Sequence, residues 1–509
     1  MRIWPRGLLL ITMAIGFIPA KGQETIHWNV IQKIRAEGFQ NTEAMKIAGY
    51  LTDVYGPRLA NSPSYNEAAQ WVYETFNSYG LSNVAIEPYG DFGVSWEVDF
   101  VSVHMLTPQY MPIIAYPNTW CRGTDKEIRG NAVYINIENI AAESELTEYH
   151  GKLQNAIIFI EPIQEINPTW KPLARRYTEE QLDELAQTNI TEQIRRERRR
   201  GQNSSGITTK QIVDFFFTEG AAALAAPDGR ENYGTVLVNE VPGEAWKSLD
   251  AIHPPFLVFA AEHYNRVLRL LDKKIKVELL VDMRISISDS ERTDHNVLAE
   301  LPGTGDEVVL IGAHLDANSA GAGATDNASG VTAVMEAMRI LKQIGVKPKR
   351  TIRAALWGGE EYGLLGSKKY IEKHFGGTEQ TSVKQDHKKL AIYFNKDGGA
   401  GRIRGIQLQG NEQLRPILSD WLQPLHSLGV AHLTSQVSRN SDHAPFNAAG
   451  LPAVTFLQDP VERRAYHTNM DTYDRFVPED LVQSAVVLAV LAYHAAMYET
   501  KIPRIEHQK

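Results

Sequence analysis

Short apolar runs bounded by glycine and small polar residues recur through the second half of the chain. They lie at Val308 to Ala313, Ile352 to Trp357, Ala391 to Phe394, Ile406 to Leu408 and Ala453 to Phe456. Their length and β-branched content predict buried strands. Between them, apolar residues fall at helical spacing over Val331 to Ile344, Ser367 to His374, Glu412 to Leu428 and Pro478 to Tyr498. The alternation predicts an α/β domain with a largely parallel mixed sheet sandwiched by helices. Helical patterning also covers Trp28 to Leu81, where Ala68, Ala69, Val72 and Phe76 mark the apolar stripe of a helix over Ser64 to Tyr79. The turn-rich stretch Leu51 to Pro63 interrupts it. From about Phe100 to Ser286 the texture changes to short β-rich runs at Ala132 to Ile137, Ala156 to Glu161, Thr235 to Val238 and Pro255 to Ala260, with long polar connections. The expected division is a leader over 1–22, a principal domain from 23–99 and 287–509, and a separate β-rich unit over 100–286.

Composition adds three constraints. With 509 residues, 43% apolar and 22% charged, the chain is globular and large enough for two domains. The formal charge of -9 argues against a nucleic-acid partner. The charged segment Glu179 to Arg200, ending in the run Arg195 to Arg200, reads as mixed-sign helical surface. Arg2 and Arg6 before the apolar run Leu8 to Ile18, then Ala20-Lys21-Gly22, predict a signal peptide and export to a periplasmic or secreted location. No later stretch is taken for a transmembrane helix, so no stable membrane insertion is expected. Cys121 is the only cysteine, which rules out an internal disulfide. Sequons occur at Asn189, Asn203 and Asn327.

The chemistry collects where strands end. Val308 to Ala313 delivers His314 and Asp316, and the loop beyond carries Asp326 before a helix opens at Gly330. His314 is suited to ligate a metal through one ring nitrogen while Asp316 accepts the proton of the other. Ile352 to Trp357 leads into Gly358-Gly359-Glu360-Glu361, where one carboxylate can bind a metal and its neighbour take a proton from water. Asp397 follows the next strand, and His467 stands late in the domain, near Asp471. Two histidines among several carboxylates suit a pair of zinc ions better than calcium or magnesium, which prefer oxygen alone.

These residues resemble a known family. GAHLD with Asp326 to Gly330, GEEYGLLGS, Asp397 and HTNMDT look like the motifs of the co-catalytic dizinc exopeptidases, which include bacterial leucyl aminopeptidases, glutamate carboxypeptidase and its plasma relative. Gly56 to Pro63, GPRLANSP, resembles the family's N-terminal signature. The resemblance implies the zinc exopeptidase fold, two zinc ions and a peptide substrate. It implies that Asp326 bridges the metals, that His314 and Asp397 complete one site, and that Glu361 and His467 complete the other. Glu360 is then the general base and Asp316 the orienter of His314, with a zinc-bridging hydroxide attacking the peptide carbonyl. The Asn327 sequon becomes a false positive. The block 100–286 is similar to a protease-associated domain. Where some relatives carry a tyrosine before Ser-Asp-His, this chain has Asn440 before Ser441-Asp442-His443, so Tyr466, Arg439 or His443 is left to stabilise the oxyanion. Phe446, Tyr362 and Phe456 are candidate walls of a side-chain pocket.

The expected activity is an aminopeptidase, with a carboxypeptidase or dipeptidase of the same family as the alternative. Arg439, Arg463 and Arg464 are the arginines that a substrate carboxylate would need. A non-catalytic receptor would be expected to have lost ligands, and a single-zinc glutaminyl cyclase would not carry the inserted block.

Overall fold

The computed structural model describes residues 26–505 except 169, 171, 173, 188–206, 229–232, 239–243, 319, 379–380 and 462–463. The leader, the sequons at Asn189 and Asn203, the arginine run Arg195 to Arg200 and Arg463 lie outside the described residues.

Two sheets of eight strands organise the chain. In the first, the spatial order is Ser82–Asp91, Thr293–Leu301, Thr351–Trp357, Val308–His314, Leu390–Asn395, Ala453–Gln458, Ile403–Gln407 and His432–Thr434. Thr351–Trp357 through Ala453–Gln458 run parallel. Thr293–Leu301 and Ile403–Gln407 join antiparallel on either side, so parallel pairing is confined largely to the centre and the sheet is mixed. Successive side chains alternate between two helical layers. Val309 and Ile311 pack toward the core of helices Trp28–Gln40, Ser329–Gln343 and Pro478–Met497, whereas Leu310 joins Trp357, Tyr370 and Phe446 on the opposite face.

One helical expectation needs correction. Glu412 to Leu428 is a short α-helix, Arg415–Leu422, flanked by tighter 3-10 turns at Glu412–Leu414 and Gln423–Leu428. Pro424 lacks the amide proton that would continue the α ladder. Pro478–Met497 is, by length and composition, apolar enough to cross a membrane, yet 94% of its most apolar window is buried in this core. Leu488, fully buried at its middle, gives a direct measure of that packing. Leu488→Ala is expected to lower unfolding stability by about 2–5 kcal/mol, seen as a lower urea midpoint at unchanged slope.

The second sheet runs Met111–Pro112, Ser95–Thr107, Glu278–Ser288, Ile128–Tyr134, Ile157–Phe159, Ala223–Pro227, Phe256–Phe259 and Ala115–Pro117. The block 100–286 also contains helices Glu179–Ala186, Thr209–Thr218 and Ala261–Asp272, so it is α/β where its sequence texture read as β-rich. Thr235 to Val238 is not a sheet strand. It makes an isolated bridge, Leu237 to Thr468, with a loop of the first domain. Ser82–Asp91 pairs with Thr293–Leu301 in one sheet, and Ser95–Thr107 with Glu278–Ser288 in the other. The chain therefore passes between the sheets twice, side by side, at 92–94 and 289–292. Cys121 is buried, and burial pushes its thiol up to about 12.

Candidate metal centre and active site

The carboxyl ends of neighbouring parallel strands bring their loops to one place. Val308–His314 ends at His314, Thr351–Trp357 leads to Glu360 and Glu361, and Leu390–Asn395 leads to Asp397. His314 Nε2 lies 3.0 Å from Asp326 Oδ1 and 3.8 Å from Asp397 Oδ1. His467 Nε2 lies 2.7 Å from Asp326 Oδ2 and 3.1 Å from Glu361 Oε2. Asp326 thus stands between the two histidines with one oxygen toward each. Donor atoms of His314, Glu360 and Asp397 lie within 4.8 Å of one another, as do those of His314, Asp326 and Glu361. Both groupings differ from the ligand set that the resemblance implies, since Glu360 stands in the place of Asp326 in the first and His314 in the place of His467 in the second. The backbone of His467 is left-handed, with φ 62°, a conformation that a non-glycine residue holds only when its surroundings over-determine it.

Asp316 does two things. His314 Nδ1 is 3.0 Å from the Asp316 backbone carbonyl and 3.5 Å from its carboxylate. The same carboxylate accepts the backbone N–H of Glu360 at 3.2 Å and of Glu361 at 3.1 Å. It therefore aligns the histidine and fixes the loop of adjacent glutamates together. Gly359 in that loop has φ 65°, and a Cβ there would lie 2.6 Å from Tyr89 Oη, so no larger residue fits.

The site concentrates negative charge away from water. Burial lifts Glu360 well above the usual carboxylate range, with Asp397, Asp442 and Glu361 adding to the rise against the pull of His314. Burial and then Asp326 push Glu361 up to about 7. Burial disfavours both imidazolium ions, but the surrounding carboxylates outweigh it, raising His314 well above its ordinary value and His467 to about 10. Every one of these directions says that the cluster binds positive charge. Glu361 Oε1 is buried with no hydrogen-bond partner. A mixed set of imidazole nitrogens and carboxylate oxygens, one acceptor still unsatisfied, fits a borderline metal such as zinc.

Several supporting residues were not singled out by residue type alone. Arg58 is fully buried and donates to the carbonyls of Leu315 at 2.8 Å, Leu51 at 2.5 Å, Ala322 at 2.8 Å and Gly323 at 3.1 Å. Its guanidinium clamps the loop between His314 and Asp326, which is what the GPRLANSP stretch contributes. Arg58→Met leaves four carbonyls, three of them in buried hydrogen bonds, short of a donor, and a stability loss of about 3 kcal/mol or more is expected in chemical denaturation. Asp471 accepts the backbone N–H groups of Thr325 at 2.8 Å and Asp326 at 3.2 Å, fixing Asp326 from the far side. Asp442 Oδ1 accepts from Ser367 Oγ at 2.5 Å. The presence of Asp471 in HTNMDT and of Asp442 in Ser-Asp-His was the available signal.

A cleft of about 480 Å³ opens beside the cluster, lined by Asp397, His443, Phe456 and Tyr466 among others. Tyr466 stacks on His467 with ring centroids 3.9 Å apart. His443 Nε2 meets Ser438 Oγ at 3.0 Å, and burial pushes this imidazole down to about 4, which leaves it neutral. Arg439 is exposed. Of the three candidate pocket walls only Phe456 lines the cleft; Phe446 and Tyr362 belong to hydrophobic clusters. Arg464 lies over the Tyr233 ring at 5.7 Å. Asn327 is fully buried, donating to the Lys396 carbonyl and accepting from Gly330 N–H, which is incompatible with a glycan in this fold.

Buried acids and histidines at the tips of parallel strands form a metal-binding type of site. Residues 296–492 match the family model described as Peptidase family M28, and the chain carries a domain of that family. The motifs from GAHLD to HTNMDT fall within the matched residues. Among named relatives, carboxypeptidase Q of Rattus norvegicus is 24% identical over 475 residues, which cover 92% of this chain and 88% of that one. Among solved structures, a peptidase M28 precursor from Shewanella amazonensis SB2B is 23% identical at TM-score 0.65, covering 94% of this chain and 99% of that one. The zinc aminopeptidase BSAP from Bacillus subtilis is 18% identical at TM-score 0.54, covering 90% and 95%. The likeness to these two structures is one of fold.

Proposed function

We propose that this protein is an exported zinc exopeptidase that releases the amino-terminal residue of peptides. The observation that carries the reading is the position of Asp326, whose two oxygens face His314 and His467 at 3.0 and 2.7 Å inside a ring of buried carboxylates. Asp326 with His314 and Asp397 would hold one zinc ion, and Asp326 with Glu361 and His467 would hold a second. Bound zinc would acidify a water molecule and polarise the scissile carbonyl. Glu360, whose affinity for a proton is raised by burial, takes the proton of the attacking water and returns it to the departing amine. Asp316 holds Glu360 in place through its backbone N–H. Tyr466, on the cleft wall against His467, is the group nearest to hand for the developing oxyanion.

The amino-terminal preference rests on the charge of the cleft. No arginine or lysine is among the described residues that line it. That suits a free ammonium better than a free carboxylate. The similarity to rat carboxypeptidase Q over 92% of the chain favours the opposite polarity as a second reading. Arg2, Arg6 and the apolar run Leu8 to Ile18 support export, and we take 100–286 as a protease-associated-like insert. Mass spectrometry of one unblocked mixed peptide, incubated with the zinc-loaded protein, tests the reading. A ladder shortened from the amino end sustains it, one from the carboxyl end replaces it by the second reading, and an intact peptide removes both.

A further inference from the structure

The segment 174–187 belongs by sequence to the middle block but lies against the first sheet. Its helix Glu179–Ala186 packs on the edge strand His432–Thr434, with Leu182 fully buried. Just before the helix, Arg176 Nη1 donates to Asp480 Oδ2 at 2.6 Å and to Asp459 Oδ2 at 3.1 Å. Both carboxylates are buried, and both also meet arginines of the first domain: Arg404 Nη1 lies 3.2 Å from Asp459 and Arg402 Nε 3.3 Å from Asp480. Taking Arg176 away would leave buried acids with less compensation, so this latch is stronger than an ordinary surface pair. The next residue, Tyr177, is tied at both backbone atoms. Its N–H donates to Asp459 Oδ1 at 3.0 Å and its carbonyl accepts from Arg404 Nη1 at 3.1 Å. With its main chain held, Tyr177 lines the cleft that also contains Asp397 and Tyr466.

We propose that segment 174–187 is a strap that selects substrate, with Tyr177 contacting the side chain of the terminal residue and favouring apolar and aromatic ones. This rests on the exopeptidase reading above. Phe456, Leu457, Pro460 and Val461 line the same cleft, so an aromatic ring in it meets apolar carbon from the first domain and the Tyr177 ring from the strap. A volume of about 480 Å³ holds a residue or two, not a folded chain. Arg176 is a positioning residue that acts through Tyr177.

The test uses the zinc-loaded full chain, Tyr177→Ala, Tyr177→Phe and Arg176→Ala. Two peptides differ only in the residue at the cleaved end, phenylalanine or glycine. Tyr177→Ala is expected to raise KM for the phenylalanine peptide about tenfold or more, with kcat and the glycine peptide essentially unchanged and Tyr177→Phe close to wild type. Arg176→Ala is expected to move KM in the same direction by about threefold. Equal losses on both peptides, or none, overturn the strap. Calorimetry with free phenylalanine and free glycine runs in parallel. If the wild type cleaves neither peptide, the exopeptidase reading falls and calorimetry alone decides. A phenylalanine affinity that disappears in Tyr177→Ala then sustains the strap; an unchanged affinity, or none in the wild type, overturns it.

Discussion

Glu360→Gln is expected to lower kcat by about 10²- to 10⁴-fold, with KM within a few-fold of wild type and zinc content unchanged. Glutamine keeps the size and hydrogen-bonding reach of the side chain but accepts no proton. The backbone N–H of residue 360 still meets Asp316, so the loop stays in place. The metal measurement decides between two roles that geometry allows Glu360. Its carboxylate lies within 4.8 Å of donor atoms of both His314 and Asp397, close enough for a ligand. A fall in zinc content that parallels the fall in rate would show that Glu360 binds metal, and the assignment as base would be withdrawn.

Asp326→Ala should abolish measurable turnover and metal retention together. One carboxylate serves both histidines, at 3.0 and 2.7 Å, so its removal opens both halves of the cluster in a single step. Histidines that now sit beside Glu361, Glu360 and Asp397 without a shared centre have no geometry left for two close metals. Zinc titration followed by thermal unfolding reads this without any substrate. Wild-type protein at a free zinc concentration 100 times its dissociation constant gains about 2.7 kcal/mol. The variant should gain little, and equal stabilisation of both proteins would remove Asp326 from the bridge.

How legible these features were differs from residue to residue. His314, Glu360, Glu361 and Asp397 stand out because each follows an apolar run or a glycine-rich break and offers an unusual side chain there, whereas His467 was legible through HTNMDT. Arg58 offered no such contrast: an arginine in a turn-rich stretch looks solvated until four carbonyls are found around it. Among strands, Val308–His314 is buried on both faces and reads as an unbroken apolar run up to His314, and Thr351–Trp357 reads likewise except at Arg353. Ser82–Asp91 and Glu278–Ser288 have partly exposed faces and mixed polar composition, and their pattern gave no comparable signal. The middle block misled in another way, since Thr209–Thr218 and Ala261–Asp272 are helices amid strand-like runs.

Tyr362 illustrates what depends on distant chain. It follows Glu361 directly, and its ring packs against Trp120 and Trp246 of the middle block at 5.7 and 5.2 Å. The loop of His467 is held likewise, by paired hydrogen bonds between Asn469 and Val236. The sequence by itself determined the donor types, their order along the chain and the alternating α/β scaffold, because side-chain chemistry and hydrophobic period are local properties. Only the tertiary structure decided which oxygen of Asp326 faces which histidine, that Asp316 secures two glutamates, and that Arg176 and Tyr177 reach the cleft. Those contacts join residues from 12 to 304 positions apart, and a distance across space leaves no trace in a local pattern.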